Sequence, residues 1–189
     1  MEDQYGSAIG RAVLGIMEVQ SGDYNEAEKY YRESYAIFEK HADRHFMNVC
    51  RSGLADIARL TGDFPRAREI YLETIAEWVA IGNLGAAARC LECLAFISIQ
   101  QAKSGAADQR QLLQRAANLF GCADTLRDSN NSPMTGEESP EYDQYMTELK
   151  SLLEPRELTL AWEAGRSLRL QEAVAFAGQS GCLLTQPLA

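Results

Sequence analysis

The stretch GDYNEAEKYYRESYAIFEK, residues 22–40, recurs forty residues later as GDFPRAREIYLETIAEWVA, residues 62–80. Both copies begin with Gly-Asp and an aromatic residue, and both carry an alanine followed four residues later by a tyrosine. The matched pairs are Gly22 and Gly62, Asp23 and Asp63, Tyr24 and Phe64, Ala27 and Ala67, and Tyr31 and Tyr71. Self-similarity at a fixed period indicates a stack of structural repeats.

The repeat extends upstream of each copy and into a third, displaced copy. Leu14, Leu54 and Leu94 occupy the same repeat position, and RAANLFGCADTLRD, residues 115–128, aligns with the quoted stretch when Ala116 is set on Ala27. Apolar residues at three- and four-residue spacing predict helices, and the alternating pattern of strands is absent from the sequence. We therefore predict an all-α fold in which residues 1–128 form three helical hairpins, at 4–40, 44–80 and 84–127.

The Gly-Asp pairs predict the turns of the first two hairpins. Glycine adopts the left-handed conformation that ends a helix, and aspartate caps the helix that follows. We expect small residues to let paired helices approach closely, and Tyr31, Tyr71 and Phe120 to fill the space to the next hairpin. The small residues are Gly15, Ala55 and Ala95 on the first helices and Ala27, Ala67 and Ala116 on the second.

The character of the chain changes after residue 128. Turn formers, acids and prolines predict a loop over 129–140. Residues 141–178 are predicted to form C-terminal capping helices, and residues 179–189 a flexible tail. The acidic side chains of this region are interpreted as a solvated surface. They are Glu137, Glu138, Glu141 and Asp143.

The pattern Leu14-Gly15 followed by Ala27-x3-Tyr31 resembles the tetratricopeptide repeat, in the long form found in kinesin light chains and MalT-type bacterial regulators. The chain departs from the family signature in its period of forty, against about 34, and in the absence of the closing proline. Arg11 and Arg51 stand where the signature has tryptophan. The resemblance implies a right-handed superhelix of hairpins with a C-terminal helical cap.

A second resemblance covers the C-terminal part of the chain. Residues 115–128, together with Trp162-x2-Gly165-x2-Leu168, resemble the end of the helical arm in LuxR- and AfsR-type bacterial signalling ATPase regulators. The resemblance implies a sensor or interaction arm of a signalling or transcriptional regulator. The sequence contains no G-x-x-x-x-G-K-[ST] loop, so the ATPase module would lie outside this chain.

No residue pattern points to catalysis, a cofactor or a metal. Cys90 and Cys93 form C-x2-C, but a zinc site needs a second ligand pair and a redox site a βαβ context, so we expect packing side chains rather than either site. His41 and His45 are interpreted as surface residues. The remaining cysteines, Cys50, Cys122 and Cys182, are expected to be free thiols. An enzyme is therefore the least supported class.

Composition and charge limit the kinds of partner and the cellular compartment that we expect for this chain. The 189-residue chain carries a net charge of −9, which disfavours binding to nucleic acid. The opening MEDQYGSAIG is acidic, unlike a signal peptide, and no apolar run approaches the roughly 20 residues that cross a bilayer. We expect a cytoplasmic protein with a protein or peptide partner.

The resemblance to tetratricopeptide arrays places the partner-binding groove on the first helix of each hairpin. The apolar end of this groove admits a second interpretation, a self-associating assembly module that dimerises there, and a third, coverage by further repeats. A candidate partner is the ATPase module of the same polypeptide. The candidate groove residues are Ile9, Ala12, Ile16 and Val19; Asn48 or Val49, Ser52, Asp56 and Arg59; and Arg89, Glu92, Phe96 and Ile99.

Overall fold

The computed structural model describes residues 2–105 and 107–178, and these residues form nine helices and no strand. The prediction of an all-α fold is therefore confirmed. The predicted tail 179–189, including Cys182, lies outside the described residues. The helices are α1 (Glu2–Ser21), α2 (Tyr24–Lys40), α3 (Arg44–Leu60), α4 (Phe64–Ala80), α5 (Leu84–Lys103), α6 (Gln109–Ser129), α7 (Ser139–Leu152), α8 (Pro155–Arg166) and α9 (Leu170–Gly178).

The chain divides into two compact units. Unit 1, Met1–Gly82, contains the helical pairs α1–α2 and α3–α4. Unit 2, Asn83–Ala189, contains the pair α5–α6, with α8 packed closely on α6. The predicted assignment of 1–128 to one solenoid and of 141–178 to a cap stays a prediction.

The turns of unit 1 have the predicted chemistry. Gly22 and Gly62 have φ of +87° and +84°, the left-handed conformation that glycine adopts without a steric penalty. The Asp23 carboxylate accepts a hydrogen bond from the backbone N–H of Glu26 at 3.1 Å. Asp63 accepts from Arg66 in the same way at 3.3 Å. Each Gly-Asp pair therefore ends one helix and caps the next.

Tyr31 of α2 joins the first hairpin to α3. Its ring lies against two glycines, so that a Cβ added to Gly15 would be 3.0 Å from the ring, and one added to Gly53 only 2.3 Å. Tyr31 is 3% exposed. This contact fulfils the predicted role of the repeated tyrosine, because the ring fills the space between one hairpin and the next.

Unit 2 depends on a close crossing of α6 and α8. A Cβ added to Gly121 would lie 2.1 Å from the Trp162 carbonyl oxygen, and one added to Gly165 would lie 2.0 Å from the Asn118 carbonyl oxygen. The Asn118 amide donates to the Ala161 carbonyl at 2.6 Å across the same crossing. Only glycine allows the two backbones to approach this closely, which gives a physical reason for Gly165 in the Trp162-x2-Gly165 pattern.

An ion pair between α2 and α4 makes the stability of unit 1 depend on pH. Glu28 accepts hydrogen bonds from Arg66 at 2.9 Å and from Arg32 at 2.7 Å, and these bonds lower its pKa. The stability that they add is complete above the unfolded pKa of about 4.3 and is lost as pH falls through the lower folded value. We expect Glu28→Gln to lower the free energy of unfolding at pH 7 by about 0.5 kcal/mol, because both arginines are largely exposed.

Urea unfolding of wild type and variant at pH 7 and pH 3 measures this effect. The difference between the two proteins is expected to be smaller at pH 3 than at pH 7. Glu39→Gln, an exposed position on the same helix, serves as the control. An equal difference at both pH values would contradict the assignment to Glu28.

Candidate functional site

The first candidate surface is an apolar stripe on α1. Of the residues predicted on this helix, Ile16 is 40% exposed, whereas Ile9 and Val19 are half-buried and Ala12 is buried. Val13 and Met17, which are not among the residues predicted from the sequence, are 50% and 57% exposed. Their positions next to Ile16 on the helical surface are the signal that could have identified them.

Leu14 widens this stripe. It is 41% exposed, whereas Leu94, at the same repeat position in α5, is 1% exposed. The leucine at this repeat position is therefore a core residue at Leu94, half-buried against the core at Leu54 and a surface residue at Leu14. We define the α1 stripe as Val13, Leu14, Ile16 and Met17.

The predicted groove residues of α3 contact α4 instead of pointing into open space. The Trp78 indole N–H donates to the Ser52 hydroxyl at 3.3 Å, and the Tyr71 hydroxyl donates to the Asp56 carboxylate at 2.6 Å. Arg59 lies 3.5 Å from that carboxylate. Ser52 and Asp56 are half-buried, and their part in partner binding stays a prediction.

Asn48 and Arg59 are more deeply buried than side chains that line an open groove. They are 1% and 3% exposed, so in this conformation they offer little surface to a partner. Val49, the alternative to Asn48, is half-buried. The Arg59 guanidinium also donates to the Tyr71 hydroxyl at 3.4 Å, so Asp56 and Arg59 both connect α3 to α4.

The predicted groove face of α5 is covered by α7. The Phe96 ring stacks on Tyr145 with a centroid separation of 4.2 Å and an interplanar angle of 14°. Arg89 pairs with Glu141, and its guanidinium lies 5.3 Å from the centroid of Phe96. Phe96 and Ile99 are 0% exposed. The expectation that Phe96 lines an open groove is thus corrected, because α7 occupies the face.

A buried ion pair lies beneath this face. Glu92 of α5, at 0% exposure, accepts two hydrogen bonds from Arg127 of α6, at 2.7 and 3.0 Å. Burial raises the pKa of Glu92, while the bonds from Arg127 act in the opposite direction. Glu92 is therefore a structural residue in this conformation.

Two of the acidic side chains interpreted as solvated are engaged. Glu138 lies 3.3 Å from Arg127, and Glu141 pairs with Arg89. The solvated interpretation is wrong for these two, because the basic side chains of α5 and α6 lie opposite them. Glu137 and Asp143 are exposed, as expected.

The thiols and imidazoles show no reactive arrangement within the described part of the chain. Cys50, Cys90, Cys93 and Cys122 are buried, and burial raises the pKa of Cys50 and Cys122 to about 12. Neither of these two thiols is a thiolate at neutral pH, so neither acts as a nucleophile in this state. His41 and His45 are exposed.

Residues 2–105 and 107–178 contain neither a metal-binding cluster nor a membrane-spanning helix. No cluster of three or more histidine, cysteine, aspartate or glutamate side chains there is arranged to hold a metal ion. None of the helices in these ranges is both long enough and apolar enough to cross a membrane. The expectations of no catalytic residue, no cofactor and a cytoplasmic location stay predictions.

Comparison with known protein families gives a match in the first part of the chain. A family model described as tetratricopeptide repeat matches residues 7–76, which run from α1 into α4. Searches of curated proteins and of solved structures found no match. The match agrees with the paired helices, the Gly-Asp turns and the Tyr31 joint of unit 1. Residues 7–76 are therefore similar to the tetratricopeptide repeat, a class of helical scaffold that generally mediates protein–protein interaction.

Proposed function

We propose that the chain is a protein- or peptide-binding scaffold that serves as the sensor or interaction arm of a bacterial signalling or transcriptional regulator. The observation that carries the binding role is the α1 stripe, which lies within the residues that match the tetratricopeptide repeat. Contiguous exposed apolar side chains on a soluble protein mark interaction sites. The regulator context rests on the resemblance of residues 115–128 and Trp162-x2-Gly165 to the arms of such regulators.

The mechanism is recognition by a preformed surface. The hydrogen bonds from α4 to Ser52 and Asp56 fix α3, and the Tyr31 joint fixes α3 against α1 and α2. A partner that buries the α1 stripe then needs little ordering of the scaffold, which lowers the entropic cost of binding. The partner is a protein or peptide. It is either a separate molecule or an ATPase module of the same polypeptide. Because the chain has a net charge of −9, nucleic acid is not the expected partner.

Photo-crosslinking tests the proposal. We replace Ile16 with benzoyl-phenylalanine in one protein and Glu39, an exposed residue of α2, in another. We expect position 16, but not position 39, to crosslink to a protein other than this chain. Adding Met17→Glu to the position-16 protein should reduce the yield at least about tenfold, because a charge in a buried contact is strongly unfavourable.

The self-association alternative predicts a different crosslink. If the only product from position 16 is a second copy of the chain, and Met17→Glu removes a concentration-dependent dimer in sedimentation, the module is a structural assembly unit. The same α1 stripe supports both functions, so the identity of the crosslinked protein decides between them. Far-UV circular dichroism confirms that each variant retains its helices.

A further inference from the structure

Helix α7 is attached to unit 2 mainly through polar and aromatic side chains. Glu141 pairs with Arg89 and Glu148 with Lys103, and between them Tyr145 stacks on Phe96. These three contacts occur in the same order along α5 and α7. Because residues three and four apart share a helix face, Glu141, Tyr145 and Glu148 form a single face of α7.

The apolar part of this attachment involves few side chains: besides its buried residues, α7 places the half-buried Tyr142 edge-on against Phe120 of α6. Of the fourteen residues of α7, only Tyr145 and Leu149 are buried, whereas fourteen of the twenty residues of α5 are buried. The ion pair between Lys103 and Glu148 is partly exposed, and partly exposed pairs contribute little to stability. The helix therefore contributes Tyr145 and Leu149 to the core of unit 2, far fewer side chains than α5 does.

The surface beneath α7 has the character of a recognition site. Arginine and aromatic residues are enriched at protein interfaces, and here Arg89 and Phe96 contact the face of α7, while Arg127 lies 3.3 Å from Glu138, just before that helix. The surface is locally basic in a chain of net charge −9. It also has a rigid base, since Arg127 is held from below by the buried carboxylate of Glu92.

We propose that α7 is a displaceable, intramolecular occupant of a peptide-binding surface on α5 and α6. The surface recognises a helix that carries an aromatic side chain between two carboxylates, in the spacing Glu-x3-Tyr-x2-Glu. A partner protein presenting such a helix displaces α7 and takes its place. This surface belongs to unit 2 and is separate from the α1 stripe, so the two proposals succeed or fail independently.

Competition between α7 and a peptide tests the proposal in the full chain. The probe is a fluorescein-labelled peptide of residues 137–153, and fluorescence anisotropy measures its binding. In the wild-type chain the tethered α7 competes at high effective concentration, so binding is weak. Glu141→Arg with Glu148→Arg in the chain should release α7 and increase the affinity for the wild-type peptide at least about tenfold.

The control variant carries Glu137→Arg and Asp143→Arg. It has the same change in charge, but it changes exposed positions outside the pairs with α5. Its affinity for the peptide should equal that of the wild-type chain. A peptide in which Tyr145 is replaced by alanine should lose most of its binding to the released chain. Unchanged affinity in the Glu141→Arg, Glu148→Arg chain, or equal gains in both variants, would overturn the proposal.

Hydrogen–deuterium exchange gives a second measurement that needs no variant. As salt is raised from 0.05 to about 0.5 M, screening weakens the ion pairs of α7. Exchange of residues 139–152 should accelerate several-fold, while α6 and α8 keep their protection. If α7 retains protection as long as α6 does, it is a permanent structural cap, and the proposal is wrong.

Discussion

Replacing Arg127 with alanine is expected to lower the free energy of unfolding by about 3 kcal/mol at pH 7, because the substitution leaves a buried carboxylate without its partner. Glu92 is 0% exposed and receives two hydrogen bonds from Arg127. The variant also loses the bonds from Arg127 to Glu138 and to the Ser132 carbonyl. Chemical denaturation followed by circular dichroism measures the loss, and Arg156→Ala at an exposed position is the matched control.

The pH dependence of the stability of Arg127→Ala shows whether the loss comes from the ionised carboxylate of Glu92. Without Arg127, burial and the charge of Glu138 raise the folded pKa of Glu92 above the unfolded value of about 4.3, opposed by Arg89, whose guanidinium lies 3.9 Å from the carboxylate. A carboxyl group with a raised folded pKa binds more protons in the folded state, so the penalty should shrink as pH falls towards 5. Replacing both Glu92 and Arg127 with methionine should restore most of the stability. A loss that is independent of pH and remains in the double variant would contradict this account.

Gly121→Ala is expected to lower the free energy of unfolding by about 2 to 3 kcal/mol, the usual cost of overpacking a core that cannot relax. The added Cβ would meet the Trp162 carbonyl oxygen at 2.1 Å, and a backbone oxygen cannot move as the end of a flexible side chain does. The matched control is Gly10→Ala in α1, where no atom lies within 4 Å of the added Cβ. That substitution should stabilise the helix by about 0.5 to 1 kcal/mol.

The two substitutions are expected to change the free energy of unfolding in opposite directions. Both replace a helical glycine with alanine, so helix propensity favours both equally. Thermal unfolding of the two variants separates propensity from packing. If Gly121→Ala stabilises the protein as Gly10→Ala does, α6 and α8 do not cross at the observed distance. Gly165→Ala tests the same crossing from the other helix, and its effect should not add fully to that of Gly121→Ala.

The local features of the fold could be predicted because their determinants are close in sequence. Asp23 and Asp63 cap helices three residues away, and Gly22 and Gly62 adopt the left-handed conformation at the turn itself. The role of Tyr31 also followed from the repeat, since a residue that recurs at the period of the stack contacts the next hairpin.

The candidate site was predicted less well because its determinants are distant. Nothing near Phe96 in the sequence indicates Tyr145, 49 residues further on, as its stacking partner. The repeat pattern identifies which face of α5 would be a groove, but it does not predict that Glu141 and Glu148 lie opposite Arg89 and Lys103. A run of acids beside prolines has the composition of a solvated loop, and only the tertiary contacts show its partners.

The reactivity of the buried thiols reports on the transient opening of the unit that contains them. Unit 1 contains one cysteine, Cys50, and the described part of unit 2 contains Cys90, Cys93 and Cys122. Because Cys50 and Cys122 have a pKa of about 12 and are shielded from solvent, an alkylating reagent reaches them only when the surrounding helices separate. Modification at each cysteine, followed by mass spectrometry, therefore times the unfolding of one unit without any added label.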